Sequence, residues 1–79
     1  GKGAIINADA MVGKMCIINT NALVEHECIV GDFVHIAVGA TLCGQVEVGN
    51  RAFVGANATV IQCRKLQNGI IVPAGETVR

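Results

Sequence analysis

The sequence predicts an all-β chain wound as a parallel solenoid, and three observations carry that prediction. An aliphatic residue recurs at every sixth position: Ile6, Val12, Ile18, Val24, Val30, Ile36, Leu42, Val48, Val54, Val60, Leu66, Val72 and Val78. The residue two places before it is small and apolar through most of the chain, as at Ala10, Cys16, Ala22, Cys28, Val34, Ala40, Val46, Ala52 and Ala58. The residue just after it is often one that tolerates a sharp turn or positive φ: Asn7, Gly13, Asn19, Gly31, Gly49 and Gly55. Six residues of α-helix rotate through roughly 600°, so the aliphatics would drift around the axis. Six is even, so an extended strand keeps all of them on one face. The unit is a short strand plus a turn, and stacked units of this size form a parallel β-helix.

The hexads follow one another in order. Those ending at Ile6, Val12 and Ile18 point Ala10 and Cys16 inward; those ending at Val24, Val30 and Ile36 point Ala22, Cys28 and Val34 inward. The next three, ending at Leu42, Val48 and Val54, carry Ala40, Val46 and Ala52. From Val60 onward the pattern loosens: Ile61 and Gln67 take turn positions, and Arg64 and Glu76 take inward ones. The pattern resembles the hexapeptide repeat of left-handed β-helix proteins, in which three hexads close one triangular coil. That implies a left-handed parallel β-helix of a little over four coils, with residues eighteen apart stacked at about 4.8 Å. Residues 1–79 then form a single domain, irregular from about 61 onward. Neither end carries a helix or loop that seals the open edges, so the chain is expected to be part of a longer protein or to be covered by partner subunits.

Composition narrows the function. The 79 residues suffice for one folded unit. Zero net charge, with 15% charged residues, argues against a partner as acidic as nucleic acid or an anionic membrane. No apolar run approaches the roughly 18 residues of a membrane span, and the start does not read as a signal peptide. Cys16, Cys28, Cys43 and Cys63 form neither a CxxC pair nor a zinc spacing, so they read as reduced small hydrophobes in a cytoplasmic setting.

Residues outside the repeat carry the functional argument. The densest run is Val24-Glu25-His26-Glu27-Cys28, a histidine flanked by two carboxylates that can strengthen its basic form and fix its tautomer. Its column at eighteen-residue spacing contains Ala8, His26, Gly44 and Gln62. Gly44 then lies one coil above His26, two places after Leu42 and outside the expected turn slot. A bare backbone N–H beside a histidine is what an oxyanion donor and a general base require of each other.

The stretch from Ile18 to Gln62, with its strings INT, VEHE, GD-FVHIA and GATL, resembles the acyltransferase domain of the sialic acid O-acetyltransferase family. That family includes bacterial N-acetyltransferases acting on nucleotide-linked amino sugars. The resemblance implies a cytoplasmic homotrimer that moves an acetyl group from acetyl-CoA to an amine or hydroxyl of a sugar or nucleotide sugar. No metal and no covalent enzyme intermediate is implied. It makes His26 the general base, Glu27 the group that raises its basicity and orients it, Asn19 a hydrogen-bonding partner in the same site, and Gly44 the donor to the thioester oxygen. His35 is implied to lie near acetyl-CoA, and for a CoA phosphate the candidate cations are Arg51, Arg64 and Lys65, of which Lys65 is expected nearest. Nine residues separate His35 from His26, so the two sit on different faces of a coil and approach only across a subunit boundary. Leu23, Phe33 and Phe53 are expected to be exposed and to fit that boundary. The family's preceding α/β domain and its cofactor-touching tail have no counterpart in these residues.

Other readings compete. One is a non-catalytic structural or assembly β-helix. Another is a metal-dependent lyase on the same fold, which in the carbonic anhydrases built this way takes three histidines against the two present. A third, an ice-binding solenoid, has only the single column Thr41, Thr59 and Thr77.

Overall fold

The structure, a computed structural model, describes residues 2–79. Thirteen two-residue strands follow the hexad period: β1 (Ile5–Ile6), β2 (Met11–Val12), β3 (Ile17–Ile18), β4 (Leu23–Val24), β5 (Ile29–Val30), β6 (His35–Ile36), β7 (Thr41–Leu42), β8 (Glu47–Val48), β9 (Phe53–Val54), β10 (Thr59–Val60), β11 (Lys65–Leu66), β12 (Ile71–Val72) and β13 (Thr77–Val78). Every third strand joins the same sheet. The first sheet has the order β1-β4-β7-β10-β13, the second β2-β5-β8-β11 and the third β3-β6-β9-β12. All pairings are parallel and offset by eighteen residues, as in Val24↔Leu42 and Leu42↔Val60. The result is a left-handed triangular β-helix of about four turns, as the hexads predict.

Side-chain alternation builds the core. The second residue of each strand points inward, and Val24, Ile36, Leu42, Val54 and Val60 are wholly shielded. The small residue two places earlier is buried as well at Ala22, Cys28, Val34, Ala40, Val46, Ala52 and Ala58. Small residues are needed there because the three sheets converge near a corner and leave little volume. β-Branched aliphatics suit the strand slots because their restricted χ1 matches extended backbone. Backbone bonds then clamp each coil to the next: Leu23 N–H donates to Ala40 at 2.8 Å and Cys43 N–H to Val60 at 2.9 Å.

The corners differ from the sequence expectation. The left-handed residue is not the one after the aliphatic but the third after it. Met15, Asn21, Glu27, Phe33, Gln45, Arg51, Asn57 and Cys63 all have φ between 57° and 62°. Non-glycine residues resist this conformation, but from Asn21 onward each of them gains a bond to the coil below. Glu27 N–H reaches Ala8 at 3.2 Å, Gln45 N–H reaches His26 at 3.1 Å, and Cys63 N–H reaches Gly44 at 3.0 Å.

The glycines after the aliphatic serve clearance instead. A Cβ on Gly31 would strike the Asn50 side-chain oxygen and stand 3.0 Å from the Asn50 nitrogen and 3.1 Å from the Val48 oxygen. The Asn50 side chain is tucked there because it caps the backbone: its Oδ1 accepts from Asp32 N–H at 2.8 Å. Asp32 accepts from Lys14 N–H, and Asn68 from Asn50 N–H, in the same manner.

The late coils keep the backbone register through Lys65↔Glu47, Ile71↔Phe53 and Thr77↔Thr59. Arg64 and Glu76, in inward slots by count, are exposed, while Leu66 and Val72 remain buried. Phe33 and Phe53 are exposed as expected, but Leu23 is half-buried on the outer face of the first sheet. No helix long and apolar enough to cross a membrane occurs among the described residues.

Leu42 sits at the centre of the stack with coils above and below, so its truncation leaves a cavity that those coils cannot collapse into. Leu42→Ala is expected to cost about 2–5 kcal/mol in denaturant unfolding of the folded protein.

Candidate active site

The corner between the first and second sheets gathers the chemistry. His26 and Glu27 form the turn between β4 and β5, and Gly44 and Gln45 form the same turn one coil higher, between β7 and β8. Gly44 therefore lies in the turn, not outside it as the sequence suggested. What distinguishes it is close approach. A Cβ on Gly44 would stand 2.8 Å from Cε1 of His26, 3.0 Å from Nε2 and 3.4 Å from Nδ1. The imidazole leans on the bare Cα, occupying the space any side chain would fill. The N–H of Gly44 makes no hydrogen bond among the described residues, whereas its carbonyl accepts from Cys63. Gln62, the next residue up this column, also leaves its N–H unpaired among the described residues, so the feature peculiar to Gly44 is its missing side chain.

His26, Gly44, Gln45, Gln62 and Cys63 line a cavity of about 260 Å³ at this corner. The sequence reading named His26 and Gly44 and placed Gln62 in their column, but assigned nothing to Gln45 or Cys63. Their signal was present: Glu27, Gln45 and Cys63 form a parallel column at the same eighteen-residue spacing.

The two flanking carboxylates do not bond to the imidazole. Glu25 accepts from Asn7 Nδ2 at 2.8 Å in the coil below, and Glu27 accepts from Gln45 Nε2 at 3.2 Å in the coil above. No ion pair or hydrogen bond joins His26 to either of them among the described residues. His26 is exposed and lines that cavity.

The remaining sequence candidates lie elsewhere on the single chain. Asn19 is at the corner between the third and first sheets, where its side-chain oxygen accepts from Thr20 N–H at 2.8 Å. His35 is on the outer face of the third sheet, in register between Ile17 and Phe53. Its ring meets Phe53 edge-on, with centroids 4.9 Å apart at 81°. Its Nε2 is buried and has no partner. Lys65 projects from the second sheet into an open groove of about 520 Å³, shared with Ile29, Glu47 and Gln67. Arg51 packs its guanidinium over Phe33 at 5.2 Å, at the corner between the second and third sheets.

Four free cysteines are present. Burial pushes the Cys28 thiol above its ordinary value, partly opposed by backbone hydrogen bonds from Val46 and Glu25. Its Sγ donates to the Cys43 carbonyl at 3.0 Å. A shielded, protonated thiol of this kind is a packing element and a poor nucleophile. No group of three or more His, Cys, Asp or Glu residues is placed to hold a metal ion among the described residues.

No family model matches the chain. Among solved structures, it is similar to a histidine-to-asparagine mutant of perosamine N-acetyltransferase from Caulobacter crescentus, in complex with CoA and GDP-perosamine. The two are 42% identical with a TM-score of 0.96, over 98% of this chain and 37% of that one. The chain thus spans little more than a third of that enzyme's length. At 42% identity the likeness reaches past the repeat pattern, which would align any two coils of this architecture. The chain is a hexapeptide-repeat left-handed β-helix, and the family it resembles in fold and in sequence is that of the nucleotide-amino-sugar N-acetyltransferases.

Proposed function

We propose that this chain is the β-helical part of an acetyl-CoA-dependent acetyltransferase whose acceptor is an amine or hydroxyl of a nucleotide sugar. One observation carries the reading: the imidazole of His26 rests against the bare Cα of Gly44, whose N–H is free to donate. The similarity to an enzyme held with CoA and GDP-perosamine supports it, and supports a nucleotide-sugar acceptor.

The reaction is direct transfer. The acceptor nitrogen or oxygen attacks the thioester carbonyl carbon and loses its proton to His26. The carbonyl π electrons move onto oxygen, and the resulting oxyanion accepts a hydrogen bond from Gly44 N–H. When the carbonyl re-forms, the C–S bond breaks. CoA leaves as thiolate and takes the proton back from His26. A positioned base contributes about 10²–10⁴-fold and an oxyanion donor about 10²–10³-fold. Glu27, next to the base in the chain, carries its carboxylate on the amide of Gln45. Lys65, exposed on the neighbouring sheet, offers a cation to the phosphates of CoA.

Asn19 and His35 are too far round the triangle to join His26 within one coil stack. In a homotrimer they would come to the His26 corner from the neighbouring subunit. Two features favour such an arrangement: the outer face of the third sheet carries the exposed apolar residues Ile17, Phe53 and Ile71, and His35 between them holds a buried nitrogen without a partner. The reduced thiols fit a cytoplasmic enzyme.

His26→Ala in the full-length enzyme is expected to lower kcat by about 10²–10⁴-fold while circular dichroism and melting remain those of the wild type. A folded variant at full rate would remove His26 from the chemistry. Gly44→Ala separates position from presence. The added methyl pushes a flexible imidazole rather than backbone, so the coil should still form. Displacing the base and crowding the donor should lower kcat by about 10²-fold, read by steady-state kinetics at saturating acetyl-CoA.

A further inference from the structure

Two columns climb the corner that holds His26. One is His26, Gly44 and Gln62. The other is Glu27, Gln45 and Cys63, which carries a hydrogen-bonded ladder of its own. Gln45 Nε2 donates to Glu27 Oε1 at 3.2 Å, and Cys63 Sγ donates to Gln45 Oε1 at 3.3 Å. The two bonds agree on the amide's orientation: its oxygen receives the thiol proton, so its nitrogen faces the carboxylate. All three residues have left-handed backbone, with φ of 59°, 60° and 62°, so their side chains leave the corner in the same sense and stack. Glu27 is adjacent to His26 in sequence, yet its carboxylate is bonded to Gln45 and not to the imidazole.

We propose that Gln45 is a positioning residue, whose amide holds the Glu27 carboxylate up the corner and away from the imidazole of His26. The proposal rests on His26 being the base. A carboxylate paired directly with an imidazolium stabilises the protonated ring, which cannot accept a proton. A carboxylate tethered one coil higher leaves the ring free while keeping negative charge nearby. The other titratable groups at this corner do not compete for that task. Glu25 on the same turn is taken by Asn7. Asp9 lies a coil below in the Glu27 column, and Cys43 adjoins Gly44. Cys63 is engaged by Gln45, and Arg64 reaches the Gln62 carbonyl at 3.5 Å. Each flanking carboxylate is thus held by one amide, and of the two amides it is that of Gln45 that lines the cavity with His26 and Gly44.

The test uses the full-length enzyme carrying Gln45→Leu, with Gln45→Met as a second variant that keeps the side chain's length and removes its donor. Either frees Glu27 to pair with His26. The acid limb of kcat/KM is expected to move to higher pH by about half a unit, the size of a solvent-exposed charge pair. In a Glu27→Gln background the same substitution should move nothing. NMR titration of the His26 ring should show the same displacement and the same dependence on Glu27, without needing turnover. The ring titration tests the ladder even if His26→Ala keeps full rate and the base assignment fails. A limb and a ring titration unmoved by Gln45→Leu and Gln45→Met, or a shift that persists without the Glu27 carboxylate, overturns the proposal.

Discussion

Everything in this molecule depends on the eighteen-residue parallel register. Backbone N–H and C=O groups must be paired when shielded from water, and here the strands pair only with the coils above and below. Once Val24 lies under Leu42 and Leu42 under Val60, every corner is locked in the same step. A slip of one residue would turn the aliphatic column out to solvent and the outer column in. The apolar core therefore does more than stabilise. It decides which corner residues meet, and so puts His26 beneath Gly44.

The corner geometry explains why a scaffold of nearly identical units can hold one distinctive site. Each corner offers an outward residue followed by a left-handed one that bonds to the coil below. The other corners fill the first slot with a side chain, as at Lys14, Thr20, Asp32 and Asn50. Gly44 leaves that space open, and an imidazole enters it. The site thus comes from an omission and a neighbour, with no distortion of the solenoid around it. The late coils make a related point. Arg64 and Glu76 break the inward pattern, yet the register passes through β11 to β13, because Leu66 and Val72 still anchor each strand.

The fold and the central contact could be read from residues because both follow from counting: an even period fixes the face, and three hexads fix the neighbour. The turns could not be placed by counting alone. Gly13, Gly31 and Gly49 drew attention as conformationally free residues, but they are there because a neighbouring Asp or Asn side chain fills the space of a Cβ. Some left-handed positions hold Gly or Asn, as at Asn21, Gly39 and Asn57, but others, such as Phe33 and Arg51, carry no local mark of it. Side-chain direction was equally hidden. Glu27 stands next to His26 in the chain, and only the structure reveals that its carboxylate turns to Gln45. Leu23 looked exposed from its outward slot, but neighbouring coils half-cover it.

The contact between an imidazole and a bare amide is the claim from which the proposed chemistry follows. It is tested most directly by a crystal structure of the full-length enzyme with a non-transferable acetyl-CoA analogue and the acceptor. The account predicts the analogue's carbonyl oxygen about 2.7–3.1 Å from the Gly44 nitrogen, with the acceptor nucleophile within hydrogen-bond reach of His26. An acyl carbonyl seated on another corner, with His26 facing only solvent, would contradict it.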